Sequence, residues 1–196
     1  MTLQKLDKKS IENIYKTHLV FDFPKDEVKP LATIKNGFNK GVYNAYGLYE
    51  KGELLAYAFF IIDKNCRLLD YFAVVNGKRG GGIGSKFIKL LKTELKGECE
   101  LIIIESENPE TALNESQKTT RQRRVDFYLK NGLIDTQTRA KVFGVDYKIL
   151  TLPLSPTATF TPDIYLSVSK TLLTREMFEE NIKILGWNKE KIKSTA

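Results

Sequence analysis

A cluster of glycines near the middle of the chain constrains the fold more than any other feature of the sequence. Five of the 13 glycines lie between positions 77 and 84. The residues before this cluster, 67 to 75, are rich in aromatic and β-branched side chains, which indicates a strand. After it, apolar residues recur at helical spacing until Gly97, at Ile83, Phe87, Ile88, Leu91 and Leu95. The sequence therefore predicts a strand, a glycine-rich loop and an amphipathic helix, in that order.

A loop of this kind at the start of a helix is suited to binding an anion. Glycine permits a positive φ and a close approach of a ligand to the backbone. The first N–H groups of a helix have no partners within it and favour negative charge. Lys78 and Arg79 add positive charge, and Ser85 adds a hydroxyl. We expect a phosphate or pyrophosphate site; the alternative is a plain connecting loop, in which three consecutive glycines would be entropically costly.

Two familiar phosphate-binding motifs do not fit this loop. A P-loop ends in Gly-Lys-Ser/Thr, whereas Ile83 follows Gly82 here. A dinucleotide fingerprint built on Gly80 and Gly82 requires a third glycine where the chain has Ser85. The strand of such a fingerprint also opens a βαβ unit, whereas a predicted antiparallel hairpin precedes this loop.

The composition excludes several other kinds of site. The 196 residues include one His and two Cys, which are too few for a structural zinc site of the usual spacing. A serine or cysteine triad would have to use His18, and no motif supports this. No apolar run approaches the ~20 residues that span a membrane, and there is no secretory segment. We expect no metal, a cytoplasmic location, and reduced thiols at Cys66 and Cys99.

The N-terminal half is predicted to contain two short helices and then a hairpin. Ser10 is the expected N-cap of the first helix. The second is expected after Pro24, starting late or kinked because of Pro30 and ending at Asn36 and Gly37. Residues 42 to 49 and 54 to 62 read as two strands joined by the turn 50 to 53.

The C-terminal half is predicted to alternate strands and helices without a repeat or a flexible linker. Residues 101 to 104 are an apolar run typical of a strand buried on both faces. A helix then ends at Asn131 and Gly132, and strands are expected at about 133 to 137 and about 142 to 152. A last helix is expected from Thr174 through Leu185. We predict a single domain over residues 1–196.

Three segments together resemble the GNAT superfamily of N-acyltransferases. Residues 79 to 84, Arg-Gly-Gly-Gly-Ile-Gly, fit the Arg-x-x-Gly-x-Gly/Ala motif that cradles the pyrophosphate of coenzyme A in that family. The strand at 69 to 74 is similar to the one whose backbone pairs with pantetheine. Residues 125 to 133 are similar to the second signature, a helix ending in Phe-Tyr-x-x-x-Gly-Phe, although Leu133 replaces the last Phe. The resemblance covers roughly residues 40 to 150 and implies a mixed, mostly antiparallel sheet flanked by helices and split at a V-shaped gap.

This resemblance implies an acetyl-CoA-dependent N-acetyltransferase that needs no metal. Tyr128 matches the family tyrosine that protonates the departing thiolate; alternatively, it is a core residue with a hydrogen-bonded tip. A backbone N–H near Val74 would stabilise the oxyanion. The residues expected to hold the cofactor are Phe72, Ala73 and Val74 for pantetheine, and Arg79, Gly80, Gly81, Gly82, Ile83, Gly84 and Ser85 for the pyrophosphate.

The general base is left open between two carboxylates and water. Asp70 lies on the strand face of Phe72 and Val74 by alternation. Glu105 ends the buried strand 101 to 104, and a carboxylate in an apolar setting has a raised pKa and can accept a proton from an ammonium group. A solvated or salt-bridged carboxylate is the alternative for both, and His18 is expected to be structural.

The net charge of +7 is consistent with nucleic acid, an anionic surface or an anionic cofactor. A basic run precedes the tyrosine helix, and two of its members stand where many family members have Asn and Ala. It is either a solvated face or a contact to the 3′-phosphate of coenzyme A. Aromatic residues do not interleave with it, which disfavours RNA binding. The run consists of Lys118, Arg121, Arg123 and Arg124.

The acceptor cannot be read from the sequence beyond a primary amine of a small molecule or a peptide or protein. Residues 153–196 lie beyond the family core, and we expect them to wall the acceptor side. Their Tyr165, Phe178 and Trp187 are core residues, or they line a pocket or a dimer contact. Monomer and homodimer both remain possible, as do two competing functions: a non-catalytic coenzyme A-binding module and an RNA- or ribosome-associated protein of the same fold.

Overall fold

A computed structural model describes residues 1–188, which form eight strands and seven α-helices. These elements group into two compact units. The first unit comprises Met1–Asp63 and Leu69–Leu95, and the second comprises Lys64–Leu68 and the chain from Lys96 onward. That the whole chain is one domain stays a prediction. Among the described residues, no helix is long and apolar enough to cross a membrane.

The first unit contains four strands in the order β1-β2-β3-β4, with β1–β2 and β2–β3 antiparallel. A π-helical turn at Tyr15–Leu19 separates its first two helices, and the opening residues of β4 belong to the second unit. The elements are β1 (Thr2–Lys5), α1 (Lys8–Ile14), α2 (Val20–Asp22), α3 (Leu31–Asn39), β2 (Tyr43–Glu50), β3 (Glu53–Asp63), β4 (Cys66–Val74) and α4 (Ile83–Leu95).

The second unit contains strands in the order β5-β7-β6-β8, all paired antiparallel. A 3-10 turn at Pro109–Thr111 follows the first of these strands. The elements are β5 (Leu101–Glu107), α5 (Glu115–Lys130), β6 (Ile134–Val142), β7 (Val145–Pro153), α6 (Pro162–Ser169), α7 (Arg175–Asn181) and β8 (Ile182–Trp187). In both units the strands pair antiparallel and are accompanied by helices, so the predicted mixed, mostly antiparallel α/β fold class is confirmed.

The core of the first unit is aromatic. Tyr43 and Tyr57 meet Phe59 edge-on, with ring centroids 6.1 and 5.8 Å apart, and all three side chains are buried. The core of the second unit is aliphatic by contrast. Ile103 of β5 and Ile149 of β7 are wholly buried in it. Aromatic and β-branched residues favour strands because they pack well on a pleated surface.

The predicted elements of the N-terminal half are mostly confirmed. Glu50 pairs with Glu53 across the predicted hairpin turn. The second helix starts late, at Leu31 directly after Pro30, but it runs past Gly37 to Asn39. Ser10 is not the N-cap: Asp7 accepts the hydrogen bond from the Ser10 N–H, because a cap oxygen reaches the N–H three residues on. Strand β1 was not predicted.

The C-terminal half departs further from the prediction. The last helix ends at Asn181, and Ile182–Trp187 form strand β8 against β6 instead of continuing the helix. A short apolar segment fits either element, and here pairing with β6 decides for the strand. Helix α6 was not predicted, although Thr161 and Pro162 are an N-cap and a first-turn proline. Residues 189–196, the end of the predicted extension, lie outside the described residues.

Candidate functional site

The glycine-rich loop of the first unit has a backbone that few other residues could adopt. Gly80, Gly81 and Gly82 have φ values of +93°, +55° and +75°, and Gly77 has +80°. A Cβ atom built at any of these four positions would meet no protein atom within 4 Å. Glycine is therefore required by the backbone conformation and not by crowding within the chain. The loop leaves open space beside its backbone.

Helix α4 begins at the end of this loop. Its first intrahelical hydrogen bond runs from the Lys86 N–H to the Gly82 carbonyl, at 3.0 Å. The N–H groups of Ile83, Gly84 and Ser85 precede this bond and have no partner within the helix. They add to the positive end of the dipole of a 13-residue helix. The predicted pyrophosphate residues thus form a positively polarised backbone segment.

The two basic residues of the loop are paired with carboxylates of the first unit. Arg79 places Nη2 3.7 Å from Asp22 Oδ1, and its side chain is 65% exposed. Asp22, only 9% exposed, also accepts a hydrogen bond from the Tyr57 hydroxyl at 2.8 Å. Lys78 pairs with Glu53 at 2.8 Å. Both cations belong to the loop, and the contacts of the exposed Arg79, with Asp22 and with the Val74 carbonyl, are long.

The end of β4 leads into this loop. Phe72 stacks on Phe87 of α4 with centroids 5.5 Å apart, and Ala73 is buried. The Val74 carbonyl lies 3.5 Å from Arg79 Nε. The structure therefore brings the predicted pantetheine residues next to Arg79 in the first unit.

Asp70 lies on the same strand but is fully engaged. Lys29 Nζ donates to one carboxylate oxygen at 2.6 Å, and the Tyr43 hydroxyl donates to the other at 2.5 Å. The Asp70 side chain is 6% exposed. Burial and the Asp70 charge raise the pKa of Tyr43 well above its usual value, so Tyr43 remains a donor. Asp70 matches the salt-bridged alternative that the sequence left open.

Glu105 lies in the second unit, at the fifth position of β5. The hydroxyl of Tyr165, in α6, donates to Glu105 Oε1 at 2.6 Å. Tyr165 is wholly buried. The sequence predicted that Tyr165 is a core residue or lines a pocket or a dimer contact. In the structure it is buried and contacts a carboxylate. The other two aromatic residues of the extension are more accessible, and Trp187 is 38% exposed.

Tyr128 lies near the end of α5 in the second unit and is buried. Burial raises the pKa of its hydroxyl to about 12, and the nearby Arg124 opposes this in part. Its carbonyl accepts hydrogen bonds from Asn131 and Leu133, which follow the helix end. Gly132 has a φ of +87°, which makes this reversal of the chain possible. A tyrosine with this pKa is protonated at neutral pH and can donate a hydrogen bond.

One carboxylate of the second unit forms ion pairs with two of the four residues in the basic run of α5. Arg121 Nη2 lies 2.7 Å from Glu107 Oε1, and Arg124 Nη1 lies 2.9 Å from Glu107 Oε2. These two arginines are therefore ion-paired within the protein. The sequence had suggested a solvated face or a contact to the 3′-phosphate, and neither alternative included this pairing. Arg123 is exposed, and Lys118 is 3.9 Å from Glu115.

The histidine and the cysteines do not form a site among the residues that the structure describes. His18 is half-buried in the π-helical turn, with its ring 6.4 Å from that of Tyr57. Cys66 and Cys99 are buried thiols that are not joined in a disulfide, and burial raises the pKa of Cys99. Over residues 1–188, no group of three or more His, Cys, Asp or Glu side chains could hold a metal ion.

Sequence reasoning missed Asp22, Tyr165 as a hydrogen-bond donor, and Glu107. Asp22 is isolated in a short helix, and nothing in the sequence relates it to the Arg79 loop. Tyr165 lies 60 residues after the carboxylate it contacts. Only Glu107 had a usable signal, since it alternates with Glu105 on the same strand face.

Comparison with known proteins yields the fold but little sequence similarity. No family profile matches the chain. An uncharacterized protein of Dictyostelium discoideum is 40% identical over 73 residues, which are 36% of this chain. The match spans only 17% of that protein's length.

Solved structures of similar fold are more informative. A GNAT-family protein from Bacteroides thetaiotaomicron has a TM-score of 0.67 and 17% identity over 91% of this chain and 99% of its own. An aminoglycoside 6′-N-acetyltransferase complexed with coenzyme A has a TM-score of 0.63 and 14% identity, over 81% of this chain and 100% of its own. Spermidine N-acetyltransferase from Vibrio cholerae, in complex with coenzyme A and spermine, has a TM-score of 0.57 and 11% identity, over 78% of this chain and 95% of its own.

At these identities the similarity shows the fold. The chain has the fold of the GNAT acetyltransferases, which confirms the resemblance that three sequence segments indicated.

Proposed function

We propose that the protein is an N-acetyltransferase that moves the acetyl group of acetyl-CoA to a primary amine by direct transfer in a ternary complex. One observation carries this proposal: three consecutive glycines with positive φ open directly onto the N-terminus of α4, in a GNAT fold. This backbone fits a pyrophosphate because it offers N–H groups, open space and nearby cations.

The cofactor residues keep the roles given by the sequence. Residues 79 to 85 bind the pyrophosphate, and Phe72, Ala73 and Val74 line the pantetheine arm. Arg79 is the residue best able to move toward a phosphate, because its side chain is exposed and its contact with Asp22 is 3.7 Å long. Arg121 and Arg124 are assigned no cofactor role, because both are already ion-paired with Glu107.

Among the candidate bases, we assign the role to Glu105. Both oxygens of Asp70 already accept hydrogen bonds, from Lys29 and Tyr43, and its side chain is buried. Glu105 accepts a hydrogen bond from the Tyr165 hydroxyl on Oε1. It takes a proton from the acceptor ammonium group and leaves a neutral amine.

The bound acetyl-CoA supplies an activated thioester carbonyl. As the C–N bond forms and the C–S bond breaks, Tyr128 gives its proton to the sulfur. The nitrogen loses a second proton as it becomes an amide, and this proton replaces the one from Tyr128. A backbone N–H near Val74 donates to the carbonyl oxygen. The net products are the amide, the free thiol and one proton, which Glu105 passes to water.

The acceptor class is a primary amine of a small molecule or a peptide. Two of the similar structures are enzymes named for aminoglycoside and spermidine, both amines, which supports this class. The thiol of coenzyme A should be released in a mixture of acetyl-CoA with spermidine, kanamycin, an alanine-terminated peptide or a lysine peptide. Each amine is compared with a reaction that lacks it.

The outcomes separate the proposal from its competitors. Thiol release that depends on an amine and falls in Tyr128→Phe supports an enzyme. A thermal shift with acetyl-CoA but no release with any amine would favour a coenzyme A-binding module. Neither shift nor release, together with RNA binding that collapses between 50 and 200 mM salt, would favour an RNA-associated protein.

A further inference from the structure

Helix α6 brings a buried tyrosine to the carboxylate of Glu105. This helix belongs to the segment beyond residue 153, outside the stretch that resembles the GNAT family. Thr161 caps it by accepting a hydrogen bond from the Ile164 N–H, and Pro162 is in its first turn. The helix therefore starts at a defined position, one turn before Tyr165.

The contact between the two side chains is short and charge-assisted. The Tyr165 hydroxyl lies 2.6 Å from Glu105 Oε1, in the range of the stronger O–H···O⁻ bonds. Burial and the charge of Glu105 raise the pKa of Tyr165 well above its usual value. Tyr165 therefore keeps its proton, and donates it in the hydrogen bond, across the working pH range of an enzyme.

Both ends of the contact are held by rigid structure. The Ser169 hydroxyl donates to the Tyr165 carbonyl at 2.7 Å within α6. Glu105 is opposite Ile149 of β7, which is wholly buried. A carboxylate on a central strand and a phenol on a capped helix give a hydrogen bond with little freedom to reorient.

Two other titratable groups of the second unit lie near Glu105, on β5 and β7. Glu107, the next residue on the same strand face, is ion-paired with its two arginines of α5. Tyr147 of β7 lies opposite Glu107 in the strand register. The Tyr165 hydroxyl donates to a Glu105 oxygen from a different element of the second unit, helix α6.

We propose that Tyr165 is the positioning residue for Glu105, so that α6 forms part of the catalytic machinery of this protein. The inference rests on the proposed function, in which Glu105 is the general base. The hydroxyl fixes the plane of the carboxylate and favours its ionised form, in which it can accept a proton from an ammonium group. The segment beyond the family core thereby serves the chemistry.

The test compares Tyr165→Phe with the wild type in amine-dependent thiol release, using whichever amine of the panel above is turned over. In this variant the ionised carboxylate of Glu105 loses the hydrogen-bond donor on Oε1. The acid limb of the kcat/KM profile should then move to higher pH by about one unit. At neutral pH kcat should fall about tenfold, with the Kd for coenzyme A unchanged.

Three further variants protect the test against simple loss of stability. Val168→Ala removes a buried apolar side chain from the same helix, and it should lower Tm while leaving the pH profile in place. Replacing Tyr165 by 3-fluorotyrosine keeps the packing but strengthens the donor, so the acid limb should move to lower pH. In a Glu105→Gln background, Tyr165→Phe should cause no further loss of kcat.

The failure of this inference differs from that of the proposed function. An active wild type whose acid limb stays in place in both Tyr165 variants overturns the role of Tyr165 alone. Equal losses from Tyr165→Phe with Glu105 and with Gln at position 105 do the same. A wild type that releases no thiol with any amine overturns the proposed function, and this inference with it.

Discussion

The glycine loop of the first unit and the Glu105–Tyr165 pair of the second are built in opposite ways. The loop is exposed backbone whose shape depends on residues without side chains, and its Arg79 is 65% exposed. The pair consists of two side chains, and its tyrosine is wholly buried. An exposed backbone site needs only a local run of sequence. A buried side-chain site depends on which distant elements pack together, and there burial sets the pKa.

The largest effect is expected at Tyr128, which tests whether the second unit carries the chemistry. Tyr128→Phe should lower kcat about 100-fold, because the departing sulfur loses its proton donor. The Kd for coenzyme A should stay unchanged, since the loop that binds pyrophosphate is untouched. Steady-state rates and calorimetric binding measure the two quantities. An unchanged kcat would assign Tyr128 to the core alone.

The next effect tests whether the glycine loop acts through its backbone. Gly82→Ala should weaken coenzyme A binding about tenfold, because a Cβ disfavours a φ of +75° and occupies the open space beside the loop. Gly52→Ala is the matched control, with a φ of +84° and equally open surroundings in the β2–β3 hairpin. It should lower the free energy of unfolding similarly without changing binding. Equal Kd values in both variants would refute a loop-bound cofactor.

A smaller effect tests whether burial raises the pKa of Tyr128 in the second unit. Burial raises the pKa of Tyr128 to about 12 in the folded chain, above the usual value of 10.0. A raised pKa adds stability below the unfolded value, and that stability is lost as pH rises through the folded value. Between pH 9 and pH 11 the wild type should lose about 1 kcal/mol more stability than Tyr128→Phe. Urea unfolding at both pH values measures this difference, and identical losses would contradict it.

The smallest effect concerns the ion pair that holds Arg79. Asp22→Asn should free Arg79 from this ion pair and tighten coenzyme A binding about twofold to threefold, because a 3.7 Å pair whose arginine is exposed contributes little. Glu12→Gln removes the same charge from the first unit at a carboxylate paired with Lys16 and Lys35. This control should leave the Kd unchanged. Equal tightening in both variants would indicate a general charge effect instead.

Much of the first unit could be predicted from local sequence. The Gly-rich segment, the strand before it and α4 after it follow from glycine content and from periods of two and 3.6 residues. The β2–β3 hairpin follows from its turn residues. The N-cap was misplaced by three positions because Asp7 and Ser10 are both good caps, and only the path of the chain chooses between them.

The second unit was predicted less well because long-range pairing decides its elements. Ile182 and Leu185 fit a helical period, but hydrogen bonds from β6 make that segment a strand. The sequence did not reveal the ion-pair partner of the basic run of α5, because Glu107 lies on strand β5, before the helix. Asp70 was named as a base by strand alternation alone. The donors Lys29 and Tyr43 reach it from positions 41 and 27 residues away in the chain.

The sequence by itself determined the glycine loop and the class of ligand that it suits, because positive φ and exposed N–H groups are properties of a short segment. It also determined the GNAT resemblance, which the fold bears out. Only the tertiary structure decided the state of the carboxylates. Asp70 is engaged on both oxygens, Glu107 holds two arginines, and Glu105 is bound by Tyr165. Which donor reaches a carboxylate depends on packing between elements far apart in sequence, and no local pattern records it.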